Sequence, residues 1–551
     1  PNVLQNAMPA NVDWLIFDTN SLLHQAHQIV YSYGDYFDPK RAKLIRKTSP
    51  EELEAEYRNT LITLMLNVVA RVRPNQGILI AIDGVAPQAK IQQQRQRRYK
   101  GPRASDREDE EEANLPPHLV ELKRPIVDPN RITPGTEFMF RLDDFLTTWL
   151  NNPQNALRLG VKKIIYSSHL VPGEGEHKYL EYLRSGEIPN RGIHVIHGMD
   201  ADLFILSIVS PVDKVYVMRE DISEVVSIQN LRYVLHRMMN QETSPVDFAL
   251  LTFFIGNDFL PHQPSLLEMK KAINSLIAAY TKTGLPLTQR LNNGDHVILW
   301  SNLLAFFKVM TEDEGMLLAN QATRRFKYPS PIFEESLAMQ SYQTKVEGEE
   351  KSRYLRQENK AVNEYTFYYS TFRQLWYDEA LGPRGDSSIL EFLVGQPVYA
   401  ATPERINEMS IDYLRGAAWN LAYYLNGWQR ASLTYVYPYH HTPLFTDLAT
   451  ILENILRHDP DQITKGVFQE PGEVYNFNSI HQLLAVLPFE SQDLLPIEVR
   501  NLMDVDSPIY DMYPNQFIID REATNYKWEG KAIIPFAESD RIVSVVDSVP
   551  F

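Results

Sequence analysis

The sequence predicts an α/β fold, a mostly parallel central sheet flanked by helices and followed by a second region rich in aromatic residues. Three observations point there. Five short runs of β-branched and aromatic residues fall within the first 220 positions, segments of helical periodicity separate them, and acids gather just past the runs. Strands alternating with helices make parallel sheets covered on both faces, and such sheets bind ligands beyond the carboxyl ends of their strands.

Taken in order, the first run, WLIF, leads into Asp18 and the second, ILIAI, into Asp83. Between them EELEAEYRNTLITLMLNVVARV carries a helical pattern. The stretch IDGVAPQAKIQQQRQRRYKGPR then places six basic residues and no acid between Lys90 and Arg103. If the chain after Pro87 is helical, Lys90, Gln94, Arg97 and Arg98 fall at i, i+4, i+7 and i+8 and share one face. In PGTEFMFRLDDFLTTWL, Pro134 and Thr136 give a start signal and Gly135 a capping turn. KIIYSS after Lys162 is the third strand, and VPGEGEHKYLEYL sets Glu174 and Glu176 near a helix start. HVI before His197 is the fourth, followed by Asp200 and Asp202 in HGMDADL, and KVYVM from Lys214 is the fifth.

VDFALLTFFIGNDFLPH adds Asp258 just past a buried helix that stops at Gly256. Past Ser265 the pattern loosens. KKAINSLIAAY and SNLLAFFKVM read as helices, and EEKSRYLRQENKAVNE from Glu349 as a charged, solvated helix or linker. From Tyr365 the chain turns aromatic, with YTFYYSTF, WNLAYYLNGW and TYVYPYHH. The expected division is 1–265, 266–360 and 361–551.

At 551 residues, with 44% apolar and 23% charged residues, the chain is long enough for more than one domain and has the composition of a globular protein. It has no cysteine, which removes disulfides, thiolate metal sites and cysteine nucleophiles. Neither a leader pattern nor an apolar run of membrane-spanning length stands in it, so an intracellular protein is expected, cytoplasmic rather than nuclear, with no membrane partner. A monomer is expected, and nothing identifies a protein partner. The formal net charge of −16 argues against a protein that coats nucleic acid, whose affinity comes from Lys and Arg on phosphates. A local basic run in such a chain suggests a pocket for an anion. The acidic block DREDEEE at 106–112 reads as a solvated loop.

A single aspartate at a strand end is ordinarily a turn or cap residue. Six acids at the ends of successive strands need a counter-charge or raised pKa values, because like charges at a few ångströms cannot all stay ionised. Oxygen ligands without Cys or His favour Mg²⁺ or Mn²⁺, and two such ions serve in-line phosphodiester cleavage. Asp258 alone would be a helix terminus. Taken alone, the basic run would read as a solvated helix or a localisation patch, His24 as a polar residue on an amphipathic helix and Trp419 as core.

In order and spacing, FDTNSLLH, AIDGVAPQAKIQQQRQRR, ITPGTEFM, VPGEGEHK, GMDADL, the Arg219-Glu220 pair and IGNDFLPH resemble the first conserved region of the XRN 5′-to-3′ exoribonucleases. YPYHHTP, LLAVLP, SPIYDMYP and the WEGKAIIPF run resemble the second. The resemblance implies a PIN-like core, with the second region closing the active-site cleft. It implies processive 5′-to-3′ hydrolysis of single-stranded RNA bearing a 5′-monophosphate, with release of nucleoside 5′-monophosphates. The implied metal ligands are Asp18, Asp83, Glu174, Glu176, Asp200, Asp202 and Asp258, holding two Mg²⁺ ions with Mn²⁺ as a substitute. The implied phosphate contacts are Lys90, Gln94, Arg97 and Arg98, and the implied base-stacking residues His24 and Trp419.

The chain departs from the family pattern at Gln88, where an arginine is expected and one positive charge near the pocket is lost, and at Leu433 and Tyr435, where tryptophans are expected. It also starts without the family's usual opening and stops soon after the second region, so the further domains of large members are not expected in it. Two other readings remain open at this level, a 5′ nuclease acting on DNA flaps and a nonenzymatic RNA-binding scaffold. ITPGTEFM and the second region speak against the first, and the retention of seven mutually repelling acids against the second.

Overall fold

The computed structural model describes residues 2–101, 117–219, 224–292, 294–339, 360–362, 365–382, 401–469, 475–521, 523–526 and 529–550. The acidic block at 106–112, most of the charged stretch from Glu349, Glu220 and Trp528 lie outside them. The chain forms two compact units, one of Pro1–Val234, Val474–Asn515 and Ala537–Phe551, the other of Leu235–Glu473 and Gln516–Phe536. This division differs from the linear one expected at 265 and 360. Its physical cause lies in the apolar side chains of 477–513, including Leu483, Leu487, Val499 and Met512, which share a core with Ala86 and Ile91 at the start of the basic helix.

The first unit is built on a seven-stranded sheet. Its strands are β1 (Leu4–Gln5), β2 (Trp14–Asp18), β3 (Gly77–Ala81), β4 (Lys163–Ser167), β5 (Ile193–His197), β6 (Lys214–Met218) and β7 (Val225–Ser227), in the order β1-β7-β6-β5-β2-β3-β4. The four inner pairings among β6, β5, β2, β3 and β4 are parallel, as the alternation of strands and helices predicts. β7 and β1 extend one edge antiparallel. Every residue of β2 and β3 is buried, which is why both read as continuous apolar runs. From β2 the chain steps to β3 and β4 on one side and then crosses to β5 on the other, so the crevice at the carboxyl end of β2 is where a ligand is expected.

Helices α1 (Thr19–Tyr31), α2 (Pro50–Val72), α3 (Gln88–Lys100), α4 (Glu137–Asn151), α5 (Gly175–Arg184) and α6 (Asp202–Val209) connect or cover these strands. α2 starts at a capping box, Ser49 Oγ accepting from the Glu52 N–H while the Glu52 carboxylate accepts from the Ser49 N–H. α4 starts where the Pro-Gly-Thr signal places it: Thr136 Oγ1 accepts from the Met139 N–H at 3.3 Å, and Gly135 takes a φ of +92°. From the far end of the sequence, α7 (Ser479–Val486) packs on α3.

The second unit is mainly helical. Trp300–Ala322 packs against Phe445–His458, which also contacts Pro403–Asn426. Phe254, Phe306, Phe307 and Phe445 form an aromatic cluster between them. The buried Glu314 accepts from the N–H groups of Phe445 and Thr446, at 2.6 and 3.1 Å, and so serves the start of that helix with a charge. Among the described residues no helix is long and apolar enough to cross a membrane.

Candidate functional site

The carboxyl ends of the strands carry the acids. Asp18 closes β2 and is the N-cap of α1, yet its side chain makes no capping hydrogen bond. Glu174 is the N-cap of α5 and likewise does not cap. The ordinary structural explanation for an acid at these positions therefore fails at both. Asp18, Asp83 and Glu176 each bring a carboxylate oxygen within 4.8 Å of the others, and Glu174, Glu176 and His177 form a second such group.

Burial and mutual repulsion show in the acidities. Burial first, then the charges of Asp83 and Asp200, hold the Asp18 carboxyl well above the usual range, with Lys90 working in the opposite direction. Burial and then Glu174 do the same to Glu176. Asp83 is raised by burial, against a hydrogen bond from the Gly175 N–H at 2.7 Å. Lys90 is the counter-charge inside the cluster, its Nζ 2.5 Å from Glu174 and 4.0 Å from Glu176. Asp200 is exposed, and Asp202, half-buried, opens α6 after β5.

Several residues that support this cluster were not singled out from the sequence. Asn20 grips Asp83 twice, Nδ2 donating to the carboxylate at 2.8 Å and Oδ1 accepting from its N–H at 3.1 Å. Lys178, buried and with its pKa pushed down to about 7 by burial, donates to the carbonyls of Ile82 and Ser168 and ties the β3 and β4 ends together. A Cβ on Gly175 would lie 2.8 Å from Asp18 Oδ1, so only glycine lets the start of α5 approach the carboxylates this closely. Asn20 and Lys178 stand in the quoted stretches FDTNSLLH and PGEGEHK, but their roles depend on partners distant in the sequence.

The basic stretch is helical, as its spacing requires. Lys90 and Gln94 are buried, Arg98 is half-buried and Arg97 is exposed. Burial, then the charges of Arg97 and Arg98, push the pKa of His24 down to about 3, so the imidazole is neutral. Arg98 is lowered to about 10 by burial and by Arg97. Arg95, of the same run, points the other way. It is fully buried, donates to the carbonyls of Ala485 and Met512, and lies over the rings of Tyr99 and Tyr513.

Two expectations need correction. Gln88 was expected to remove a charge near the pocket, but its amide donates to Tyr475 Oη at 3.1 Å and accepts from Ser539, so it faces the carboxyl-terminal segment. Trp419 was expected to stack on a base. Its indole is fully buried, stacked on Tyr423 and on Tyr435 at 4.9 and 5.5 Å, with Phe259 against it edge-on and Nε1 donating to the Ser432 carbonyl at 2.7 Å. It is a core residue; of the two positions where tryptophans were expected, Tyr435 stacks on it and Leu433 is buried. Trp419→Ala is accordingly expected to lower stability by about 3–5 kcal/mol in a denaturant titration. Unchanged stability would show that the ring is not a core element.

Asp258 lies in the second unit, in a turn fixed by Asn257, whose Oδ1 accepts from the N–H groups of Phe259 and Leu260 at 3.0 and 2.9 Å. That unit holds another His and carboxylate group, Glu379, His441 and Asp520, in which His441 Nε2 is 3.3 Å from Glu379 and the charges of Asp520 and Glu379 act on Lys531.

In chemical terms the first unit offers a set of crowded, partly buried carboxylates suited to a hard divalent cation, with a basic helix leading away from it. Residues 2–221 match the family described as XRN 5′-3′ exonuclease N-terminus, and residues 239–374 and 397–550 match the Xrn1 helical domain. The chain is 28% identical to 5′-3′ exoribonuclease 1 of Homo sapiens over 543 residues, covering 88% of this chain and 30% of that protein. It is 27% identical to a 5′-3′ exoribonuclease 2 homolog of Caenorhabditis elegans, covering 91% of this chain and 64% of that one. Against 5′-3′ exoribonuclease 1 of Saccharomyces cerevisiae it is 25% identical, covering 97% and 41%. The chain thus spans from 30% to 64% of the length of these relatives.

Proposed function

Because the chain belongs to the XRN family of 5′-3′ exonucleases, we propose that it hydrolyses single-stranded RNA from a 5′-monophosphate end and releases nucleoside 5′-monophosphates. The observation that carries this reading is the shared helix. α3 carries Lys90 among the carboxylates and, about 10 Å further along its axis, Arg97 and Arg98, whose charges act on His24. A 5′-phosphate held by the far cations leaves the following phosphodiester directed towards the acids.

Each group then has a task that follows from its chemistry. Arg97 and Arg98 bind the terminal phosphate through charge-assisted hydrogen bonds, and Gln94 contributes a neutral amide between them and Lys90. His24, kept neutral, presents a ring face on which a base can stack without sequence preference. Asp18, Asp83, Glu174, Glu176, Asp200 and Asp202 are the metal ligands proposed within the first unit. Divalent ions, two Mg²⁺ with Mn²⁺ as a substitute, would supply an activated water and charge stabilisation of the leaving oxygen. Asn20 and the Gly175 N–H hold Asp83 in place, and Lys178 fixes the strand ends that carry the cluster.

The test uses matched RNA and DNA oligonucleotides with 5′-monophosphate, 5′-hydroxyl or 5′-triphosphate ends, incubated with Mg²⁺ or with EDTA. Mononucleotide release from 5′-monophosphate RNA in Mg²⁺ alone is expected. Preference for DNA flaps, or binding without cleavage, would overturn the reading.

A further inference from the structure

We infer that Gln482 is a positioning residue that holds Gln94 with its donor end towards the RNA terminus, and so contributes to selection of an anionic 5′ end; this rests on the reading of α3 as the phosphate site. The argument is one of hydrogen-bond direction. The Ala86 N–H can only donate, and it donates to Gln482 Oε1 at 2.9 Å. A primary amide has one acceptor oxygen and one donor nitrogen. With its oxygen committed to Ala86, Gln482 turns its NH₂ to Gln94, whose Oε1 accepts at 3.3 Å.

The same logic passes one step further. Once Gln94 has its oxygen turned to Gln482, the other end of its amide is Nε2, a donor. A phosphate accepts from that group and would be repelled by a carbonyl oxygen in its place. Reversal is costly at each step, since a flipped Gln482 sets its NH₂ against the Ala86 N–H and a flipped Gln94 sets two NH₂ groups face to face. Gln482 is fully buried, so water cannot substitute for either partner. The residue lies in α7, which packs on α3 although the two amides are 388 positions apart in the chain.

A double-mutant cycle tests the relay, read as the ratio of kcat/KM on 5′-phosphate RNA to that on 5′-hydroxyl RNA. Gln482→Met keeps the bulk and removes both hydrogen bonds. It is expected to lower the ratio about tenfold while turnover of 5′-hydroxyl RNA stays close to wild type. In a Gln94→Met background the same change should lower the ratio no further, because a residue acting through another adds nothing once that other is gone. Equal losses on both RNA ends, or fully additive losses, would overturn the relay. If Gln482→Met does not fold, Gln482→Asn keeps an amide but is one methylene too short to span both Ala86 and Gln94, and the same cycle decides. Arg97→Ala separates the two ideas: if it leaves the ratio unchanged the phosphate reading itself fails, and if it erases the ratio while Gln482 variants keep it, only the relay fails.

Discussion

Replacement of Asp18 by asparagine is expected to lower RNA cleavage by about 10³-fold or more, while making the chain more heat-resistant in EDTA. The two effects share one cause. Asp18 is 3% exposed, and burial together with Asp83 and Asp200 disfavours its charged form. An amide of the same shape relieves that repulsion, and no capping hydrogen bond of α1 is lost with the carboxylate. Wild type should gain heat stability when Mg²⁺ or Mn²⁺ is added, since a ligand of the folded state stabilises it by mass action. The variant should gain less. Thermal scans with and without the ions, beside single-turnover rates on 5′-phosphate RNA, check both halves. A variant that keeps wild-type turnover would remove Asp18 from the proposed ligand set.

Arg97→Ala is the second large effect, and it falls on specificity. The side chain is exposed, so its removal should change stability by no more than about 0.5 kcal/mol. A charge-assisted hydrogen bond to a terminal phosphate contributes roughly 1.5 to 3 kcal/mol, so kcat/KM on 5′-phosphate RNA should fall by about 10- to 150-fold. Activity on 5′-hydroxyl RNA should hardly move, and the preference between the two ends should almost vanish. Steady-state kinetics on the two RNAs reads this directly. Equal losses on both would make the basic face a general surface for the RNA backbone.

The sequence by itself determined the five parallel strands of the sheet, the order of its acids and the shared face of the basic helix. These features are short continuous apolar runs, a 3.6-residue spacing or positions next to a strand end, so neighbours in sequence suffice to read them. WLIF, ILIAI and the acids that follow them became buried parallel strands with carboxylates at one end for that reason. What only the tertiary structure decided are the contacts between distant positions. Arg95 belongs to the same basic run as Arg97 but is consumed by the carbonyls of Ala485 and Met512. Gln88 is turned away by Tyr475, and Gln94 is oriented through Gln482. Trp419, whose helix carries no local sign of which face is covered, is closed off on one side by Tyr435 from the chain beyond its helix. Helical periodicity places residues on a face, but what packs against that face is set by side-chain volume and hydrogen-bond complementarity among segments hundreds of residues apart, and those are formed only when the chain is folded.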